Sequence, residues 1–174
     1  VTGAGEEASS LDLRKRPSSA QANGRASTIL AFDFGERYIG VAVGERGTGL
    51  ANPLTFIEGA ANAARFAGIE ALIAEWQPGC LVLGLPLSMD GEEHDLTRRV
   101  RRFARQLEGR FALPVILVDE RLSSAAAEDM LRDMGRGGRE HKNDTHALAA
   151  QIILQAYLDE QRVAPPGDSQ QGGT

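Results

Sequence analysis

Three strand-length apolar runs, Thr28–Phe34, Tyr38–Glu45 and Leu50–Ile57, follow one another with only short turns between them. Connections that short join antiparallel neighbours, because a parallel crossover needs a dozen or more residues. The chain therefore opens its ordered part with a meander. The period then changes. Residues from about Asn62 to Trp76 place Phe66, Ile69, Ile73 and Trp76 on one helical stripe. Cys80–Leu85 is a continuous apolar run ended by Pro86, as expected of a strand buried on both faces. A second helix is expected over about Glu93–Arg110, with Leu96, Val100, Phe103 and Leu107 inward. A short strand follows at Val115–Val118. Helices at about Ser123–Met134 and Thr145–Gln161 come last, separated by the loop Gly135–Lys142. The order β-β-β-α-β-α-β-α-α predicts an α/β fold: a mixed five-stranded sheet, its later strands parallel, with helices packed on it.

The chain of 174 residues is 42% apolar and 25% charged, enough for one globular core. Residues 1–27 lack an apolar period and are expected to be a disordered extension, as is the tail 163–174. The ordered domain is then 28–162. No stretch approaches the ~20 apolar residues of a membrane helix, and no secretory apolar region opens the chain. Cys80 is the one cysteine. It rules out an internal disulfide and a thiolate cluster, and suits a small buried hydrophobe. These features point to the cytoplasm. A net charge of −5 counts against a nucleic-acid partner unless local basic patches exist.

Three motifs could carry chemistry. Asp33 ends the first apolar strand, before Gly35. It reads either as a metal ligand at the mouth of the sheet or as the cap of an Asx-turn. Asp119-Glu120-Arg121 ends another buried strand. Adjacent strand residues face opposite ways, so one carboxylate at most points to a given site. Arg121 could steady the other or contact a phosphate. In Lys142-Asn143-Asp144-Thr145-His146, His146 shares a helix face with Ala149, Ala150, Ile153 and Tyr157, so it points inward. Asp144 lies ~200° around the helix and suits an N-cap. A satisfied core histidine is the alternative for His146.

Leu30–Gly35, Ile39–Val43, Leu83–Gly91, Asp119–Ser123 and Ala149–Leu158 together resemble the YqgF or RuvX family, over essentially all of Thr28–Gln161. That resemblance implies an RNase H-like fold, a bacterial cytoplasmic setting and a role in maturing the 5′ end of 16S rRNA. The family's relation to the RuvC resolvases implies branched DNA as an alternative substrate. Carried over by position, Asp33 is the first-strand catalytic acid and Glu120 the acid of the Asp-Glu-Arg motif. The family's third acid precedes the Ala-Ala pair on the last helix. Here that position is His146, so the catalytic and metal-ligating set is Asp33, Glu120 and His146.

Such a set suits phosphodiester hydrolysis, in which divalent metal stabilises both the attacking and the leaving oxygen. Hard oxygen ligands favour Mg²⁺, and an imidazole leans toward Mn²⁺. Nucleic-acid contacts are expected from Arg121 and from Arg136, Arg139 and Lys142 of the Gly-rich loop before the last helix. The arginine face Arg98, Arg101, Arg102 and Arg105 is either a phosphate-tracking ridge or a solvated surface. The expected partner is pre-16S rRNA, met on the small ribosomal subunit, with the protein a monomer or weak dimer. A non-catalytic RNA or transcription-factor binding module is the other reading. An actin-like sugar kinase needs two such domains, which this length does not allow.

Overall fold

The computed structural model describes residues 26–88, 90, 93–122 and 142–163, excluding the side chains of Leu122 and residues 142–144. Five strands form one sheet: β1 (Thr28–Phe34), β2 (Tyr38–Glu45), β3 (Leu50–Glu58), β4 (Cys80–Leu85) and β5 (Val115–Asp119). Their order is β3-β2-β1-β4-β5. The meander β1–β2–β3 is antiparallel, whereas β4 pairs parallel to β1, and β5 parallel to β4. Helices α1 (Asn62–Trp76) and α2 (Asp95–Phe111) make the crossovers. A 3-10 turn, Glu120–Leu122, leaves β5, and α3 runs over Lys142–Val163. The mixed sheet is thus the expected one. The expected helix Ser123–Met134 lies outside the described residues.

Strand alternation sorts the core into two layers. Leu30, Phe32, Val41, Leu81 and Leu83 meet Phe66 and Ile69 of α1 and Val100, Phe103 and Leu107 of α2. On the other face Ile29, Ala31, Ala42, Val82 and Val118 meet Ala150, Ile153, Leu154, Tyr157 and Leu158 of α3. Every residue of β4 is buried, as its unbroken apolar run requires.

Several expectations need correction. Leu96 is 38% exposed, and Thr97 takes the inward position, its hydroxyl donating to the Pro86 carbonyl at 2.5 Å. The helix starts at Asp95 rather than Glu93, which fixes the inward stripe on Thr97, Val100, Phe103, Ala104 and Leu107. The last helix starts at Lys142 rather than Thr145. Asp144 therefore lies in its first turn and is not the N-cap, and Lys142 belongs to the helix rather than the loop. The helix also reaches Val163, one residue into the expected tail. The remaining residues of both expected tails, apart from Ala26 and Ser27, lie outside the described part.

The edge strand β3 is held by side chains of α3. Gln155 Oε1 accepts from the Ala51 amide at 3.0 Å, and Gln155 Nε2 donates to the Gly49 carbonyl at 3.0 Å. Gln151 Nε2 donates to the Ala51 carbonyl at 2.9 Å. Backbone groups that an edge strand leaves unpaired are thereby satisfied.

Candidate active site

Asp33 is the next-to-last residue of β1 and pairs across to Gly40 of β2. On the other side Phe32 pairs with Leu83 of β4, so Asp33 and Gly84 are the next residues up. By alternation with Ile29 and Ala31, the Asp33 side chain belongs to the α3 face. Both flanking positions are glycine, for two steric reasons. A Cβ on Gly40 would overlap the backbone carbonyl of His146, where α3 crosses the strand. A Cβ on Gly84 would stand 2.5 Å from Glu120 Oε1 and 2.6 Å from Ile153 Cδ1. The glycines let a helix backbone and a second carboxylate close on Asp33.

Glu120 and Asp119 part company as strand geometry demands. Arg121 grips Asp119 with Nε at 3.0 Å to both carboxylate oxygens and Nη2 at 2.7 Å to Oδ2. Its backbone amide adds a bond at 2.9 Å. These bonds hold the Asp119 carboxyl below the usual carboxylate range. Arg121 Nη1 also reaches the Ser88 carbonyl at 3.3 Å, tying the β5 end to the loop after β4. Arg121 thus steadies the second carboxylate, one of the two roles expected of it.

Glu120 instead leans over Gly84. Burial, reinforced by the charges of Asp33 and Asp119, pushes its carboxyl up to about 7. Asp33 is also raised by burial, with His146 drawing it partly back. Asp33 and Glu120 therefore form an electrostatically coupled pair at the ends of β1 and β5. Asp33 lies within β1, paired to Gly40, with its side chain on the α3 face.

His146 occupies the first half of α3, and its ring stacks on Tyr38 with centroids 5.0 Å apart at 29°. Tyr38 in turn meets Phe56 edge-on at 5.8 Å. His146 thus sits on the face predicted for it, within electrostatic reach of Asp33. Among the described residues, no three His, Cys, Asp or Glu side chains stand close enough to hold one ion together. The donor chemistry still fits a hard divalent cation: two converging carboxylates oppose each other's ionisation, and a cation between them reverses that penalty. Asp33 and Glu120 would hold such an ion, with His146 beside them.

Arg136 and Arg139 lie outside the described residues, as does the side chain of Lys142. The α2 arginines are divided. Arg101 pairs with Glu93 at 2.8 Å and Arg98 with Asp95 at 3.8 Å. Arg102 and Arg105 are exposed and make no ion pair among the described residues.

Sequence reasoning passed over Arg65. It is buried at 5% exposure. Its Nε donates to the Gly59 carbonyl at 2.5 Å, and Nη2 donates to the carbonyls of Gly35, at 3.2 Å, and Glu36. Arg65 thereby fixes the β1–β2 turn that follows Asp33. Its position on the stripe of Ile69 and Leu72 was the available signal, since a charged residue there must be paired.

The strand order, the two-faced helical packing and the carboxylates at the strand ends make this an RNase H-like fold. The RuvC of Thermus thermophilus, solved in complex with a Holliday junction substrate, superposes with a TM-score of 0.53 at 13% identity, covering 78% of this chain and 96% of that one. The family model described as "RuvX: Holliday junction resolvase" matches residues 27–160. The chain belongs to this family. Relatives named "Putative pre-16S rRNA nuclease" include one from Methylobacillus flagellatus, 56% identical over 75% of this chain and 90% of its own length. Another, from Thiobacillus denitrificans, is 51% identical over 84% of this chain and 99% of its own length.

Proposed function

We propose that this chain is a cytoplasmic, metal-dependent nuclease that trims the 5′ end of pre-16S rRNA, acting on the small-subunit precursor. The observation that carries the reading is the convergence of Asp33 and Glu120 across Gly84, on a fold shared with RuvC. The names of the relatives supply the RNA substrate. When bound, Mg²⁺ or Mn²⁺ supplies the positive charge that stabilises the attacking and leaving oxygens of an in-line displacement. The chain's own residues do the rest. Asp33 and Glu120 hold the ion. Glu120, which without the ion stands at about 7, gives up its proton when the ion binds. His146 completes the site in place of the family's usual acid. Arg121, Arg136, Arg139 and Lys142 contact the phosphates of the substrate.

The test offers purified full chain, with Mg²⁺ or Mn²⁺, a pre-16S rRNA 5′ fragment and a four-way DNA junction. Cleavage of the RNA alone, lost in Asp33→Asn, is the expected result. Cleavage of the junction alone would make the protein a resolvase. Binding of RNA without cleavage under either metal would make it a binding module.

A further inference from the structure

Behind the β1–β2 turn, on the sheet face away from Asp33, the start of α1 and the first half of α2 leave a cavity of about 170 Å³. It is smaller than the ~300–1,000 Å³ of drug-sized ligand pockets. Phe34 lines it from the sheet, and Arg65, Arg99 and Arg102 line it from the helices.

Arg65 is 5% exposed, and its Nε and Nη2 are spent on backbone carbonyls. Its Nη1 has no hydrogen-bond partner among the described residues and is not sealed away as an enclosed orphan atom. Arg65 itself is one of the residues that line the cavity. Arg99 pairs with Glu36, but both side chains are well exposed, at 42% and 74%, and such pairs are weak. Arg102 makes no ion pair among the described residues. Three guanidiniums therefore stand against one carboxylate, in a chain of net charge −5.

The surroundings add to the positive potential. α1 begins at Asn62, itself in the lining. Its cap residue Ala61 makes no side-chain bond, and its first turn has no acidic residue. Its first amides and its dipole are thus uncompensated by the chain's own side chains. Planar guanidinium forks match tetrahedral oxyanions, which they bind by paired hydrogen bonds.

We propose that this cleft is a phosphate site, seating one phosphate group between Arg65, Arg99 and Arg102. Phe34 places it beside the end of β1 that carries Asp33, across the turn that Arg65 fixes. A single strand running from the acidic site over that turn brings a backbone phosphate to it. This strand-positioning role rests on the nuclease reading, whereas binding of phosphate as such does not.

The experiment titrates the full chain with inorganic phosphate while following the arginine Nε–H resonances by NMR. Saturable shifts of Arg65, Arg99 and Arg102 are expected in wild type. Binding should be at least tenfold weaker in the double variant Arg99→Gln/Arg102→Gln, which leaves the structural bonds of Arg65 in place. No shift at these resonances, or equal affinity in the variant, overturns the site whatever the protein cleaves. A second arm measures the affinity of single-stranded RNA against salt in the Asp33→Asn background. If a backbone phosphate is the occupant, the double variant lowers the slope of log affinity against log salt by about 0.7 for each phosphate it no longer neutralises. An unchanged slope with phosphate titration intact identifies a free phosphate or mononucleotide as the occupant. Phosphate binding without any RNA cleavage keeps the site and removes the nuclease reading.

Discussion

Glu120 Oε1 lies where Gly84 has no side chain, 2.5 Å from the position a Cβ would take. The space that brings the second carboxylate to Asp33 is therefore made by a missing methyl group on the strand between them. Gly84→Ala should push Glu120 aside and press on Ile153, costing about 1–3 kcal/mol as overpacking does. Cleavage should fall by more than that stability loss explains. Chemical denaturation paired with a cleavage assay checks this, and a fully active, destabilised variant would show that the seating of Glu120 over Gly84 does not matter to cleavage.

Gly40 carries a stricter demand, because a Cβ there overlaps backbone rather than the end of a side chain. Gly40→Ala should lift the start of α3 off β2. The expected signature is loss of hydrogen-exchange protection in the first turns of α3, with β1 and β4 protected as before. Unaltered protection in α3 would contradict the close approach.

Asp33→Asn removes one of two coupled charges. In the metal-free protein it should let the Glu120 carboxyl fall below about 7, since Asp33 helps to raise it. It should also remove the stabilisation that added Mn²⁺ or Mg²⁺ gives wild type, which follows RT ln(1 + [M]/Kd). Thermal melts across pH, with and without the ion, measure both independently of catalysis. A metal-induced shift in melting temperature equal to that of wild type would take Asp33 out of the ligand set.

The pH dependence has a definite sign. Glu120 is raised in the fold from 4.5 to about 7, so the folded state favours its protonated form. Its contribution is fully present below about 4.5 and is lost as pH rises through about 7. The metal-free protein should thus lose on the order of 1–2 kcal/mol across that window, the full shift being discounted for partial exposure. Glu120→Gln should flatten this part of the profile. Melts in the presence of a chelator test it.

His146→Asp should move the metal preference from Mn²⁺ toward Mg²⁺, because an all-oxygen set suits the harder ion. His146→Ala should lose cleavage and also the stacking on Tyr38. Tyr38→Leu, which removes only the stack, separates the two effects. If Tyr38→Leu loses as much activity as His146→Ala, then His146 acts through packing alone.

The sheet was legible because hydrophobic period is a local property. The run Cys80–Leu85, closed by Pro86, matches β4 residue for residue. Strand alternation alone separated Glu120 from Asp119 only as a pair facing opposite ways; the family resemblance named Glu120, and the structure shows Arg121 gripping Asp119. Asp144 and Leu96 misled for a shared reason. Capping and stripe patterns each tolerate a shift of a turn, and only tertiary packing fixes where a helix begins. Gly40 and Gly84 were visible as glycines inside strands, yet what approaches them is set by α3 and Glu120, which lie far along the chain. Arg65 was hidden because its partners are backbone carbonyls, which leave no mark in side-chain patterns.

The helix α3 has a consequence for the order in which the chain is made. All five strands precede Lys142, so during synthesis the sheet can pair before α3 packs on Ile29, Ala31 and Val82. His146 and the cover over Asp33 arrive only with α3, the last of the described elements. A nascent or truncated chain ending before Lys142 therefore has both carboxylate-bearing strands but no closed site. Lacking the α3 side of its core, such a chain is open to chaperones and proteases before it can cut anything.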